Sequence, residues 1–390
     1  MGNSRAATGP PMDKGDRVIV RLAQDLIRIP THNPPGNEER IAQFAGERLR
    51  DAGLDPRLVP LEPGRSSVVA RVSGKDPGCL VLCGHLDTMP ANPEAWHIPP
   101  LEGRIEGGRL WGLGAADMKG AVAVLMGVAS QLARSETVPP SDVVLVLTAD
   151  EEFGYRGAAS VAESGLIDDA DLVVIAEPTA GHVYTGQKGE LWVEVVFSGE
   201  EAHGSTPEAG ASAILPAARF CTRLQGEVSA LPEARDLGRT TLNIGRFLGG
   251  RQVNIVPGRA EVQLDVRVVR PEDRDAVLGL IDRIGAEEAA ASGTAFKGKV
   301  LSYHPPIVTA SDTPAALRLR RIVASVTGRE PGTGISPFST DAVSIVPRLG
   351  VPVLVYGPGD IAQAHRPDES IALEDLVVAY DVFLRLVEGR

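Results

Sequence analysis

The sequence predicts an α/β fold, a mainly parallel sheet covered by helices, that carries an inserted ferredoxin-like α+β domain. Three observations predict it. Over residues 14–188 short strands alternate with helices, the order of parallel βαβ units. Those strands (CLVLC, DVVLVL, DLVVI) are apolar throughout, as strands buried on both faces must be. Over residues 189–305 the order changes to β-α-β-β-α-β, and from 306 to 390 the α/β character returns.

The elements follow in chain order. Residues 16–52 carry Val20, Leu22, Leu26, Ile41, Phe44 and Leu49 at helical spacing around a break, IPTHNPPGN. SVVARVSG and CLVLCGHLD read as strands, and MKGAVAVLMGVASQLARS as a long helix. DVVLVLTAD is a strand, the stretch near GAASVAESGL a helix, and DLVVIAEP a strand. Then come strand LWVEVVFSG, helix SAILPAARFCTRLQGEV, strands TTLNIGRFLGG and RAEVQLDVRVV, helix DRDAVLGLIDRIGAEEAA and strand FKGKVLSY. After His304-Pro305-Pro306 we read a helix at 314–327, the strand VPVLVYG and a last helix from Leu373.

At 390 residues the chain is long enough for two or three domains of ~150 residues, each with a real core. A formal net charge of -12 disfavours a nucleic-acid partner, which selects a basic face. No stretch reaches the ~20 apolar residues of a membrane span, so a membrane partner is not expected either. Residues 1–13 read as a flexible soluble tail without the apolar segment of a signal peptide, and Met12 is an alternative start. Cys79, Cys83 and Cys221 are too few for a disulfide framework and read as buried thiols, which suits the cytoplasm.

Five places carry the chemistry. In GHLDTMP, His85 and Asp87 stand at i and i+2 on a strand end, so they share a side, and Asp87 is placed to accept from the ring. In WGLGAADMKGA, Asp117 follows a glycine-rich loop where the long helix begins; a helix cap is the ordinary alternative. In TADEEFG, Asp150, Glu151 and Glu152 leave an apolar strand. Adjacent carboxylates repel one another unless cations lie among them, and a solvated acidic loop is the alternative. Glu151 and Glu152 should point in opposite directions and so do different work. Glu177 ends the strand VVIAEPT, and His365 follows VPVLVYG in the loop GPGDIAQAHRPDES.

In open α/β sheets, ligands gather beyond the carboxyl ends of the strands, where His85, Glu152, Glu177 and His365 all stand. Two imidazoles and three carboxylates suit two borderline metals such as Zn²⁺ with one bridging carboxylate, whereas calcium or magnesium would favour oxygen ligands alone. A glutamate beside a ligand but not itself bound is placed to act as general base.

These motifs, in this order, resemble the family of cocatalytic zinc amidohydrolases that includes acetylornithine deacetylase, succinyl-diaminopimelate desuccinylase, aminoacylase and carboxypeptidase G. The resemblance runs from about Arg17 to Val387, and GLGAADMKG, TADEE, HPPI and GPGDIAQAHRPDE look most like the acetylornithine deacetylase branch. It implies two Zn²⁺, with Co²⁺ as a substitute. Asp117 would bridge them, His85 and Glu177 would complete one site, and Glu152 and His365 the other. Glu151 would be the general base and Asp87 would orient His85. It also implies a cis peptide bond at Asp117–Met118. Residues 189–305 would be a lid and dimerisation domain of a homodimer, with His203 reaching a partner's site to steady an oxyanion. Asn254 and Arg267 would meet the substrate, Arg267 from the polar face of the strand AEVQLDVRVV. Two departures are Ala211-Ser212, where the family commonly has Asn, and STDA at 339–342, which matches loosely.

The expected function is hydrolysis of the amide of a small N-acyl amino acid, with N-acetylornithine as the best single guess. A dipeptidase or carboxypeptidase on the same metals is the alternative within the class. A binding protein without turnover would lack the base or the bridge, yet Glu151 and Asp117 are both present. A glycosidase would use paired carboxylates but leaves His85 and His365 without a task.

Overall fold

The structure, a computed structural model, describes residues 14–235 and 237–389, so the expected tail at 1–13 and the alternative start at Met12 lie outside it. The chain separates into two compact units: one comprises the residues up to Gly186, Val308–Ser336 and the stretch from Thr340 onward; the other comprises Gln187–Ile307 with Pro337–Ser339.

The first unit opens with helices α1 (Lys14–Ile27) and α2 (Glu39–Asp51), then β1 (Arg57–Glu62), β2 (Arg65–Val72) and β3 (Cys79–His85). Next come β4 (Arg104–Glu106), β5 (Arg109–Trp111), α3 (Lys119–Arg134), β6 (Asp142–Thr148), α4 (Arg156–Glu163), β7 (Leu172–Ile175) and β8 (Val183–Gln187).

The second unit is β9 (Gly189–Ser198), α5 (Ile214–Ser229), β10 (Thr241–Gly249), β11 (Arg259–Val268), α6 (Pro271–Ser292) and β12 (Ala295–His304). Its sheet runs β10-β11-β9-β12 with every neighbour antiparallel, the ferredoxin-like order. Alternation sets its faces. Val262, Leu264, Val266 and Val268 pack with Phe220, Leu224 and Ile281 of the helices, which leaves Asp265 and Arg267 on the other side.

The chain returns through β13 (Ile307–Val308), α7 (Pro314–Thr327), β14 (Thr333–Ser336), α8 (Ala342–Leu349), β15 (Val353–Val355), β16 (Ser370–Ala372) and α9 (Leu373–Glu388). The large sheet is ordered β1-β2-β6-β3-β7-β15-β8-β13. Its centre, β6-β3-β7-β15, is parallel, whereas β1, β2 and β8 join antiparallel. Along β6, Val143, Leu145 and Leu147 enter one apolar core with α1, α2, α3, α7 and α9. Val144 and Val146 are equally buried on the opposite face, the side of α4 and α8. Burial on both faces is why these strands read as unbroken apolar runs. Each fully buried Val or Leu contributes about 1.5–3 kcal/mol, so the central strands anchor the unit.

Several elements leave no signal in the sequence. β1 contains Pro60, which a strand at the edge of the sheet, beside β2, tolerates. The strands β4, β5 and β16 are three residues each and form a small separate sheet. α8 is eight residues long with Pro347 inside it. The parallel centre matters most for function, because it brings the carboxyl ends of β3, β6, β7 and β15 to one edge.

Candidate metal centre

His85 is the last residue of β3, and Gly84 before it is tightly packed: a Cβ there would meet Met118 Cε at 2.8 Å. The His85 ring is buried. Nδ1 lies 3.0 Å from the main-chain carbonyl of Asp87, and Nε2 lies 3.0 Å from Asp117 Oδ1 and 3.6 Å from Glu177 Oε1. Burial works against a charged ring, but Asp117, Asp87 and the neighbouring glutamates outweigh it and push its pKa well up.

Asp117 is not a helix cap. α3 begins at Lys119, its N-cap position is Met118, and no side chain caps it. The carboxylate turns inward, with Oδ1 toward His85 and Oδ2 3.4 Å from His365 Nε2. The Asp117–Met118 peptide bond is cis. The loop before it is held by Glu369, whose carboxylate accepts from the N–H groups of Gly114, Ala116 and Asp117 at 2.9, 2.8 and 2.9 Å. Gly114 is left-handed (φ 81°), and a Cβ there would press on Thr88 at 2.9 Å.

The turn after β6 is buried, which excludes a solvated acidic loop: Asp150 is 0% and Glu151 8% exposed. Glu152 Oε2 lies 2.9 Å from His365 Nε2, and its Oε1 accepts from Met89 N–H at 3.2 Å. Burial pushes the Glu151 and Glu177 carboxyls well up and the Glu152 carboxyl up. His365 is pushed up to about 10 by its hydrogen bonds to Asp117 and Glu152. Donor atoms of His85, Glu151 and Glu177 lie within 4.8 Å of one another, as do those of His85, Asp117 and Glu152. Glu151 thus stands among the first group rather than apart from it.

Asp87 differs from its expected place. Its carboxylate Oδ1 is 3.6 Å from His85 Nδ1, outside hydrogen-bond range, and accepts from Glu151 N–H at 3.1 Å, while Oδ2 accepts from Glu152 N–H at 3.1 Å. The backbone carbonyl of Asp87 orients the ring, and its carboxylate holds the turn. Other buried polar residues here carried no signal in the sequence, because their partners are remote. Lys119 Nζ donates to Ile29 carbonyl at 2.7 Å, and burial lowers its pKa to about 7. Asp341, in the loosely matching STDA segment, accepts from the Thr148 hydroxyl at 2.5 Å, and burial raises it to about 7.

The three remaining expected residues belong to the second unit. His203 is exposed, with Nδ1 2.7 Å from Ser205 Oγ. Asn254 is exposed, and its carbonyl accepts Gly204 N–H at 2.8 Å. Arg267 is already paired, with Glu190 at 2.8 Å, Asp265 at 2.9 Å and Ser339 Oγ at 3.1 Å.

The donor set suits cations. Carboxylates of Asp117, Glu152 and Glu177 crowd the buried imidazole of His85 and the exposed imidazole of His365, an arrangement whose repulsion divalent ions relieve. The family model for peptidase family M20/M25/M40 matches residues 81–389. The chain belongs to this family. Within it, an acetylornithine deacetylase of Myxococcus xanthus is 32% identical over 89% of this chain and 88% of that protein. A probable succinyl-diaminopimelate desuccinylase of Staphylococcus epidermidis is 27% identical over 95% and 98%. Among solved structures, a tripeptidase of Staphylococcus aureus superposes with a TM-score of 0.81 at 22% identity, covering 96% of this chain and 98% of its own. An M20 metallo-carboxypeptidase of Sulfolobus solfataricus does so with 0.78 at 19% identity, covering 97% and 99%. The M20/M25/M40 protein is accordingly a metal-dependent hydrolase of amide bonds. Among its described residues, no helix is long and apolar enough to cross a membrane.

Proposed function

We propose that this enzyme deacylates a small N-acyl amino acid, with N-acetylornithine as the first substrate to try. One observation carries the reading: the two oxygens of Asp117 face two different histidines, 3.0 Å from His85 and 3.4 Å from His365. That is the disposition of a carboxylate shared by two ions. His85 and Glu177 would hold one, Glu152 and His365 the other, and the mixed nitrogen and oxygen donors fit Zn²⁺, with Co²⁺ as a substitute. Bound there, the ions would acidify a water and polarise the amide carbonyl. Glu151, buried among these donors, would take the proton of that water and return it to the leaving amine.

The second unit supplies the remaining roles in this reading. His203, whose Nε2 has no partner among the described residues, steadies the oxyanion in the site of a second copy. Asn254 approaches the substrate. Arg267 binds its carboxylate and has to release Glu190 or Asp265 to do so. A homodimer through this unit is supported by the outer edge of β12, which among the described residues pairs only with β9 and exposes Val300 and Leu301. We place the enzyme in the cytoplasm, in keeping with its three buried free thiols.

The test is a hydrolysis screen of N-acetyl, N-succinyl and N-formyl amino acids together with dipeptides, each with Zn²⁺ or Co²⁺, reading amine release. Turnover confined to N-acyl amino acids supports the proposal, and turnover confined to peptides replaces it with a peptidase.

A further inference from the structure

Asn33 lies in the loop between α1 and α2 and is 1% exposed. Its backbone is fixed beside the end of β3: Asn33 N–H donates to the Thr88 carbonyl at 2.9 Å, and Thr88 N–H to the Thr31 carbonyl at 3.0 Å. The side-chain amide then serves two carboxylates at once. Nδ2 lies 2.8 Å from Asp87 Oδ2 and 3.0 Å from Asp150 Oδ1, and both acids are wholly buried. A carboxamide suits this place because it offers two N–H donors without adding charge, whereas a hydroxyl offers one and a carboxylate none.

Both carboxylates govern one turn. Asp87 accepts the N–H groups of Glu151 and Glu152. Asp150 precedes them in a left-handed conformation (φ 64°), with its carboxylate tied to Arg65 at 2.9 Å and to Arg156 at 2.5 Å. A non-glycine residue is held there only where its surroundings enforce it. The Asn33 amide joins the two carboxylates, Asp87 beyond the end of β3 that bears His85 and Asp150 in the turn after β6.

We infer that Asn33 is a positioning residue: by joining Asp87 to Asp150 it fixes the turn that aims Glu151 and Glu152. The inference rests on the proposed metal site. Removing its amide leaves two buried carboxylates each short of a donor, and the turn relaxes.

The experiment measures Zn²⁺ affinity of the full chain by competition with a chromophoric chelator, and the visible spectrum of the Co²⁺ form. It compares wild type, Asn33→Ala, Asn33→Ser, Asp87→Asn and the double variant Asn33→Ala/Asp87→Asn, with unfolding followed for each. Asn33→Ala should weaken Zn²⁺ binding by ~10–100-fold, the usual scale for partners behind a ligand, and should shift the Co²⁺ spectrum. Asn33→Ser, with one donor kept, should fall between. Because Asn33 acts through Asp87, the double variant should lose little more than the weaker-binding single variant. Wild-type affinity and spectrum in folded Asn33→Ala, or losses that multiply in the double variant, overturn the inference. If Asn33→Ala does not fold, Asn33→Ser decides by the same criteria, and if neither folds the residue is structural and the inference is wrong. A wild-type chain that takes up no Zn²⁺ overturns the site reading itself, and the inference with it.

Discussion

The main-chain carbonyl of Asp87 accepts from His85 Nδ1 at 3.0 Å, while the Asp87 carboxylate stands 3.6 Å from that nitrogen. A carbonyl can only accept, so Nδ1 carries the hydrogen and Nε2 is the atom presented to Asp117 and Glu177. There a proton and a metal ion compete for one lone pair, and the carboxylate of Asp87 is left for the backbone of Glu151 and Glu152.

Asp87→Asn should therefore disturb the turn more than the imidazole. Whichever way the new amide faces, its NH₂ meets an N–H that the carboxylate accepted. Metal affinity should fall by ~10–100-fold, measured by chelator competition. Affinity within twofold of wild type would show that the carboxylate does not hold the turn.

Metal content tests the bridge. The purified protein should hold close to two transition-metal ions per chain after loading with Zn²⁺ or Co²⁺, and Asp117→Ala should lose most of both. Elemental analysis that finds no bound metal in loaded wild type removes the assignment.

Glu151→Gln should keep its metals and lose ~10² or more in kcat, the size of a general-base contribution. Steady-state turnover on the substrate found by the screen, beside metal analysis of the same sample, checks it. Turnover near wild type would move the base elsewhere.

Arg65 is a test of stability. It is 3% exposed, and its guanidinium pairs with Glu38 at 2.5 Å and Asp150 at 2.9 Å, both carboxylates buried. Arg65→Ala removes the guanidinium that pairs with buried Glu38 and one of the two that pair with Asp150, and should cost about 3–5 kcal/mol, read from denaturant unfolding. A loss under about 1 kcal/mol, the range of an exposed pair, would mean that water reaches the acids.

His203→Ala should retain both metals and reduce kcat by ~10²–10³, since a preorganised oxyanion donor is worth ~3 kcal/mol. If the histidine acts in a second copy, mixing His203→Ala chains with Glu151→Gln chains should restore part of the activity through one intact composite site. Subunit exchange confirmed by mass, without return of activity, would confine the histidine to its own chain.

The fold class is legible in the chain alone, because β3, β6 and β7 are buried on both faces and so are written as apolar runs, while α3 is packed on nearly every side. The sequence also pointed to His85, Glu152, Glu177 and His365, at or just beyond the ends of strands whose signal is strong, and to Asp117, just before the long helix α3. Three-residue strands such as β4 and β16, and an edge strand with Pro60, leave no period to read. Which atom faces which is set by the folded packing: Asp117 presents one oxygen to each histidine, and Asp87 turns its carbonyl to His85 and its carboxylate to the backbone beyond. That packing alone disclosed the supporting polar groups, whose partners lie far along the chain. Asn33 reaches Asp87 and Asp150 across 54 and 117 positions, and Glu369 reaches Gly114 across 255. Apolar burial repeats along a strand or helix and is therefore written locally, whereas a hydrogen bond between remote side chains needs only one residue at each end and leaves no pattern around either.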